Sequence, residues 1–325
     1  MRILISGSIA YDRIMDFPGK FEDHIIPSEI RQLNVSFTVK EFRETFGGNA
    51  GNIAYSLSLL EEKPVVYSAV GKDFQKYQER FNQLGIDISG IKIYPQTLTA
   101  SAYIITDKND NQITGFFPGA MSFYAKKPKV AKGDLAIISP SNPNEMLDLA
   151  DFYHSRQIPF IFDPGQQIIQ FTKNQLRKVI KLASICVVND YELALTQKIT
   201  NYDKTVVLQS AGILITTLGK QGSLIEINQH NKLERINISA VKTTLAKDPT
   251  GGGDAYRAGL IKGLVASRLN LITDSYFKFP WLEIGQSASL AAVYAIEHYG
   301  TQNHFYTYNQ FKKRYQLNYK SSLTF

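Results

Sequence analysis

The chain has 325 residues, 44% hydrophobic and 20% charged, too apolar for disorder and sized for one large domain or a domain with a small appendage. A single cysteine, Cys186, excludes an internal disulfide framework and a Cys-rich zinc module, and five histidines (His24, His154, His230, His298, His304) never fall at metal-binding spacing. Lys and Arg exceed Asp and Glu by 36 to 29, but the excess lies in two runs, 126–132 and 312–314, without a nucleic-acid motif, so both read as solvated patches and no nucleic-acid partner is expected. No run of ~18 apolar residues is present, and the apolar start is too short for a signal peptide, so the expectation is a cytoplasmic protein with no membrane partner.

In chain order, residues 2–6 read as a strand, 49–61 as a helix, 64–70 as a strand and 74–84 as a helix. Then come a strand at 135–139, a helix at 142–156, a strand at 159–163, a helix at 173–182 and a strand at 185–188. Two more strands are expected at 223–228 and 233–238, and long helices at 254–269 and about 281–298. Short buried runs separated by helices indicate an α/β fold with a mostly parallel sheet covered on both faces, which binds ligands beyond the carboxyl ends of its strands. Residues 17–44 break the pattern with no helical stripe. Residues 97–121 break it again with extended runs at 100–106 and 112–117, joined by a turn-rich Asp107-Lys108-Asn109-Asp110-Asn111. Two all-β insertions, about 12–45 and 97–121, can pair into one small β-sheet lid on a single domain spanning 1–325.

The sharpest motif is Asp248-Pro249-Thr250-Gly251-Gly252-Gly253-Asp254-Ala255-Tyr256-Arg257-Ala258-Gly259. Glycines running into a helix let backbone N–H groups of Gly251, Gly252, Gly253 and Asp254 face an anion, and the helix start adds partial positive charge. Phosphoryl transfer needs such fixed donors, and Asp254 in the same turn could accept the proton of an attacking hydroxyl. Spacing alone does not separate this from a glycine-rich turn with an acid stabilising a helix start. The second motif, Phe46-Gly47-Gly48-Asn49-Ala50-Gly51-Asn52, again leads glycines into a helix, and by itself is more often a tight helix entry than a ligand site. Neither a P-loop nor a dinucleotide fingerprint is present.

Together, in this order and at these positions, the two motifs resemble the signatures of the PfkB (ribokinase-like) family of carbohydrate and nucleoside kinases. Asn189-Asp190-Tyr191-Glu192 is similar to the family's N-x-x-E element, and Thr216-Thr217-Leu218-Gly219-Lys220-Gln221-Gly222 to its nucleotide-binding strand end. Several further segments resemble bacterial-type adenosine kinases: residues 7–12, 17–21, 35–37 and 116–121, Asp163-Pro164-Gly165-Gln166-Gln167, and Gly300-Thr301-Gln302. The resemblance implies a ribokinase-like fold and an ATP-dependent kinase turning adenosine into AMP, with magnesium as cofactor and potassium as a candidate activator. It assigns Asp254 as general base and the N–H groups of Gly251 to Asp254 as the anion hole. Ser8, Asp12, Gly48 and Asn52 would hold the ribose, while Ser36, Phe116, Gln166 and Gln167 would surround the purine. Thr217, Gly219, Gly222 and Asn189 would bind ATP, with Asn189 and Glu192 ordering the metal through water or phosphate. A homodimer through the lid is the family expectation. A sugar kinase on the same fold, or a nucleoside-binding sensor without turnover, are the rival readings.

Overall fold

The computed structural model describes residues 1–25, 31, 34–109 and 111–325. Its core is an eight-stranded sheet ordered Lys232–Ile238, Ser223–Gln229, Ile213–Thr217, Ile185–Asn189, Phe160–Phe162, Leu135–Ile138, Ile3–Ser6 and Val65–Tyr67. Six strands run parallel, and the last two in sequence close the far edge as an antiparallel pair. Alternation along each strand divides the core in two. Ile3, Ile5, Ile137, Ile161, Ile185, Val187, Ile213 and Ile215 pack beneath the helices Asn49–Leu59, Gly252–Ala266 and Trp281–Ile296. Leu4, Ala136, Ile138, Phe160, Phe162, Cys186, Val188 and Leu214 pack on the other face, beneath Pro143–Ser155 and Lys173–Leu182. This is the ribokinase-like α/β arrangement, and both faces are covered as the continuous apolar strands require.

From Ile3–Ser6 the chain turns first to Val65–Tyr67 on one side and later to Leu135–Ile138 on the other. That reversal opens a crevice at the carboxyl ends of the strands. Residues 7–12, 163–167, 189 and 217 all lie at this end.

The lid is a four-stranded sheet ordered Glu41–Gly47, Ala10–Asp16, Ala100–Thr106 and Gln112–Phe117. The hairpin strands coincide with the extended runs in the sequence. In its turn the Asp107 carboxylate accepts from the backbone N–H groups of Asn109 and Asn111, both 2.9 Å, while Asp110 lies outside the described residues. The first insertion is built differently from the expectation. Its strands lie at the ends of the segment, and the described stretch between them gathers around Phe17, Phe21, His24 and Phe37. Residues 26–30 and 32–33 of that insertion are outside the described set.

The structure departs from the sequence expectation at three further points. The strand read over 64–70 is two, because after Tyr67 the chain leaves the main sheet and Ala69–Gly71 pairs with Lys92–Tyr94. The helix read from 254 starts at Gly252, because the glycines form its first turn. Arg314, read as part of a solvated patch, lies on an additional helix, Tyr308–Tyr319, and grips Glu297 through two bonds of 2.8 and 2.6 Å.

Among the described residues no helix is long and apolar enough to cross a membrane.

Candidate active site

Asp254 sits in the first turn of Gly252–Ala266 and is buried. The helix can start there because Gly251 takes a left-handed conformation, φ +79°, and a Cβ on it would lie 3.1 Å from Thr301. Both carboxylate oxygens accept side-chain amides. Asn49 Nδ2 donates to Oδ1 at 2.9 Å and Asn52 Nδ2 to Oδ2 at 2.8 Å. The two asparagines are presented by the helix Asn49–Leu59, whose N-cap is Gly48 and whose first N–H, from Asn49, is bound by Ser8 Oγ at 3.1 Å. Thus the two glycine-led motifs, some 200 residues apart in sequence, meet face to face at a carboxylate.

Burial pushes Asp254 up to about 6, while the positive charge of Arg257 and the two asparagine amides pull it back. At neutral pH it is mostly ionised. The N–H of Gly252 donates to Pro249 O at 3.2 Å, which removes it from the expected four-donor cradle, whereas the N–H groups of Gly251, Gly253 and Asp254 have no backbone acceptor among the described residues. Three donors and the helix start therefore remain for an anion.

On one side of this turn, Gly252 and Gly253 line a cleft of about 1120 Å³. Thr217, Gly219 and Gly222, assigned to ATP, line it too, as do Lys220, Lys242 and Thr243. Asn189 and Glu192 are not on its wall. They form a reciprocal helix cap: Glu192 N–H donates to Asn189 Oδ1 at 2.7 Å and Asn189 N–H to Glu192 Oε2 at 2.8 Å. That leaves Asn189 Nδ2 as a donor and Glu192 Oε1 as an acceptor. Among the described residues no cluster of three or more His, Cys, Asp or Glu could hold a metal on protein ligands alone.

Asp12 is within electrostatic reach of Asp254 and is not on the wall of that cleft. Burial, with the charges of Asp254 and Asp248, pushes its carboxyl up to about 6, and among the described residues no hydrogen bond offsets this. Across the lid sheet Asp12 pairs with Ala102, which pairs with Phe116, and on its other flank with Thr45. Residues directly opposite share a face. Phe116, 52% exposed, is therefore on the side of Asp12. Tyr103 and Phe117 pair into the alternate rows and lie on the opposite side, where Arg13 donates to the Tyr103 hydroxyl at 2.6 Å. The register decides which lid aromatic shares the face of Asp12. Ser36 is exposed on the lid loop, and Gln166 and Gln167 are exposed and half-buried on a short helical turn after Phe160–Phe162.

Asn52, assigned to the ribose, is also held by protein groups. Its Nδ2 is on Asp254 and its Oδ1 accepts from Gln302 Nε2 at 3.0 Å.

Sequence reading missed the ion pair under the site. Arg257, one turn after Asp254, reaches Asp163 Oδ1 with Nη2 at 2.5 Å and donates Nη1 to Gly253 O at 2.9 Å. Both charged side chains are buried. An arginine inside the otherwise small and apolar Ala255–Leu260 stretch was the available signal. Because the pair ties the Asp254 turn to the Gln166 segment, Arg257→Met should leave Asp163 as an unpaired buried charge. A loss of about 3–5 kcal/mol in urea unfolding is expected. A loss under about 1 kcal/mol would mean that Asp163 is neutral or solvated.

Comparison with known proteins shows the family and the fold. The family model described as pfkB family carbohydrate kinase matches residues 10–307. A nucleoside kinase of Methanothermobacter thermautotrophicus is 30% identical over 321 residues, 96% of this chain and 95% of that protein. A nucleoside kinase of Methanocaldococcus jannaschii is 31% identical over 235 residues, 71% of this chain and 76% of its own. Among solved structures, Burkholderia thailandensis nucleoside kinase in complex with inosine superposes with a TM-score of 0.83 at 34% identity, covering 98% of this chain and 99% of that one. With its motif carboxylate, its glycine turn and a matching fold along nearly its whole length, the chain belongs to the PfkB family of carbohydrate kinases and is an ATP-dependent phosphotransferase with an alcohol acceptor.

Proposed function

We propose that the alcohol is the 5′-hydroxyl of a purine nucleoside, adenosine as the sequence suggests or inosine as in the Burkholderia relative, and that the product is the nucleoside monophosphate. The observation that carries this reading is the row Asp12–Ala102–Phe116 across one face of the lid. It sets a carboxylate with no hydrogen-bond partner among the described residues and an exposed ring about 10 Å apart at the backbone, two strand spacings, leaving room for a ribose and its base between them. Asp12 would accept from the 2′- and 3′-hydroxyls, Phe116 would stack on the base, and the amides of Gln166 and Gln167 would face its edge. An amide presents donor and acceptor together, so it can match either adenine or hypoxanthine.

Asp254 then takes the proton of the 5′-hydroxyl as that oxygen attacks the terminal phosphorus of ATP. The oxygen–phosphorus bond to ADP breaks, and the N–H groups of Gly251, Gly253 and Asp254 meet the charge on the transferred group. Thr217, Gly219 and Gly222 line the nucleotide cleft. Glu192 Oε1 would accept from a magnesium-bound water and Asn189 Nδ2 would donate to a phosphate. The ion would supply neutralisation of the triphosphate oxygens.

ADP production measured with adenosine, inosine, guanosine, cytidine, ribose and fructose tests the reading. Turnover of adenosine and inosine is expected, with a raised KM for the nucleoside and an unaltered KM for ATP in the Gln166→Ala, Gln167→Ala double variant. Turnover of ribose or fructose alone would replace the proposal with a sugar kinase, and nucleoside binding without ADP would replace it with a sensor.

A further inference from the structure

We infer that Gln302 and Arg80 are positioning residues that fix the direction of a hydrogen-bond chain ending on Asp254; this rests on the reading of Asp254 as the base. The chain begins on the helix Gln75–Gln83. Arg80 Nε donates to Gln302 Oε1 at 3.2 Å and Nη2 to Gln302 O at 2.7 Å. Gln302 Nε2 donates to Asn52 Oδ1 at 3.0 Å, and Asn52 Nδ2 donates to Asp254 Oδ2 at 2.8 Å. Gln302 and Asn52 are buried, so neither amide has water to fall back on.

Each link in this chain has only one workable orientation. A guanidinium has donors and no acceptor, so only the oxygen of Gln302 can face Arg80. The second constraint is independent. Gln302 Nε2 also reaches Tyr77 Oη at 2.6 Å, and the Tyr77 proton is committed to Gly47 O at 2.8 Å, so that hydroxyl can only accept. Burial raises the Tyr77 phenol strongly and keeps this proton in place. With the Gln302 nitrogen directed at Asn52, the Asn52 oxygen must face it and the Asn52 nitrogen must face Asp254. An inverted Asn52 would turn its carbonyl oxygen on the carboxylate.

The frame is stiff. Arg80 lies 4.9 Å from the ring centroids of both Phe46 and Tyr55. Gly51 admits Tyr77 and Gln302 to the helix surface, since a Cβ there would be 2.0 Å from Tyr77 Oη and 3.3 Å from Gln302 Nε2. The chain thus joins three separate stretches of sequence to one oxygen of Asp254. Asn49 holds the other oxygen, with its own Oδ1 accepting from the neighbouring Ser8 Oγ at 3.4 Å.

The test uses the neutral variant Gln302→Met in the full chain and follows the Asp254 carboxyl by carbon-13 NMR alongside turnover. The other charges facing Asp254 are unchanged in this variant: Arg257 on its own helix, Asp12 on the lid strand, Asp163 after Phe160–Phe162, and Glu192 on the helix Asp190–Thr200. The Asp254 midpoint should rise by about one pH unit from about 6, so kcat should fall about 10-fold on the acid side of the profile and recover at alkaline pH, with KM for ATP within about twofold. In an Asn52→Ala background the same substitution should add no further shift, because the link it acts through is gone. Arg80→Gln, which offers an acceptor as well as donors, should move the midpoint the same way, and Arg80→Lys should recover most of it. An unmoved Asp254 midpoint in folded Gln302→Met or Arg80→Gln, or an equal shift with and without Asn52, overturns the inference. Since the titration is read on the carboxyl itself, a failure of the base assignment, seen as an active Asp254→Asn, stays distinguishable.

Discussion

Asp254→Asn is expected to lower kcat by about 10²–10⁴-fold, the usual worth of a general base, with the fold intact. The substituted side chain keeps an oxygen for one of the two asparagine donors and turns an NH₂ on the other, so one hydrogen bond is lost while Asp163 still neutralises Arg257. Circular dichroism and ATP binding should therefore match the parent. The pH dependence is a second readout. A base works ionised, and burial places Asp254 at about 6, so turnover should be full above that value and decline as pH falls through it. In Asp254→Asn the part of the ascending limb due to this carboxyl should vanish. Near-parental kcat in the purified variant would remove Asp254 from the chemistry.

The next largest effect belongs to Asp12→Ala. A hydrogen bond to a charged group contributes about 1.5–3 kcal/mol, so kcat/KM for the nucleoside should drop roughly 10- to 100-fold. Among the described residues no donor binds this carboxylate, and desolvation has raised it to about 6, so in the free enzyme it is poised to gain from hydroxyl donors. The control is 2′,3′-dideoxyadenosine. It should be a poor substrate of the parent, and Asp12→Ala should cost it little, because the contact is already absent. Equal losses with both nucleosides would mean that Asp12 supports the lid and does not touch the sugar.

The two sheets were legible in very different degrees. In the core, strands buried on both faces must be apolar at every position, and helices between them must carry a stripe. Residues 3–6, 135–138, 160–162 and 185–189 therefore stand out from their neighbours. The hairpin 100–117 stands out because its turn is dense in Asp and Asn. The strands Ala10–Asp16 and Glu41–Gly47 do not. They are half-buried and mix charge with apolar residues, so their pattern is no cleaner than that of a loop. The helix Tyr308–Tyr319 was concealed by its Lys312-Lys313-Arg314 run, which reads as surface until Glu297 is found beside it.

The chemistry divides along the same line. By itself the sequence determined the α/β class from its periodicity. Its two glycine-led motifs, through their resemblance to a kinase family, pointed to phosphoryl transfer and to Asp254 as the candidate base, because glycines leading into a helix and an acid in its first turn are local features, set over a few residues. Only the tertiary structure decided what each side chain does there. Strand register put Phe116 on the face of Asp12 and turned Tyr103 away, since one residue of slip exchanges the faces of a strand. Packing of the helix Asn49–Leu59 against Gly252–Ala266 drew Asn49 and Asn52 onto Asp254. The Arg257–Asp163 pair and the Arg80–Gln302–Asn52 chain bridge 94, 222 and 250 positions, respectively. At such separations a single sequence holds no period or spacing that links the partners, and only the closed fold brings their hydrogen-bonding atoms within 3.5 Å.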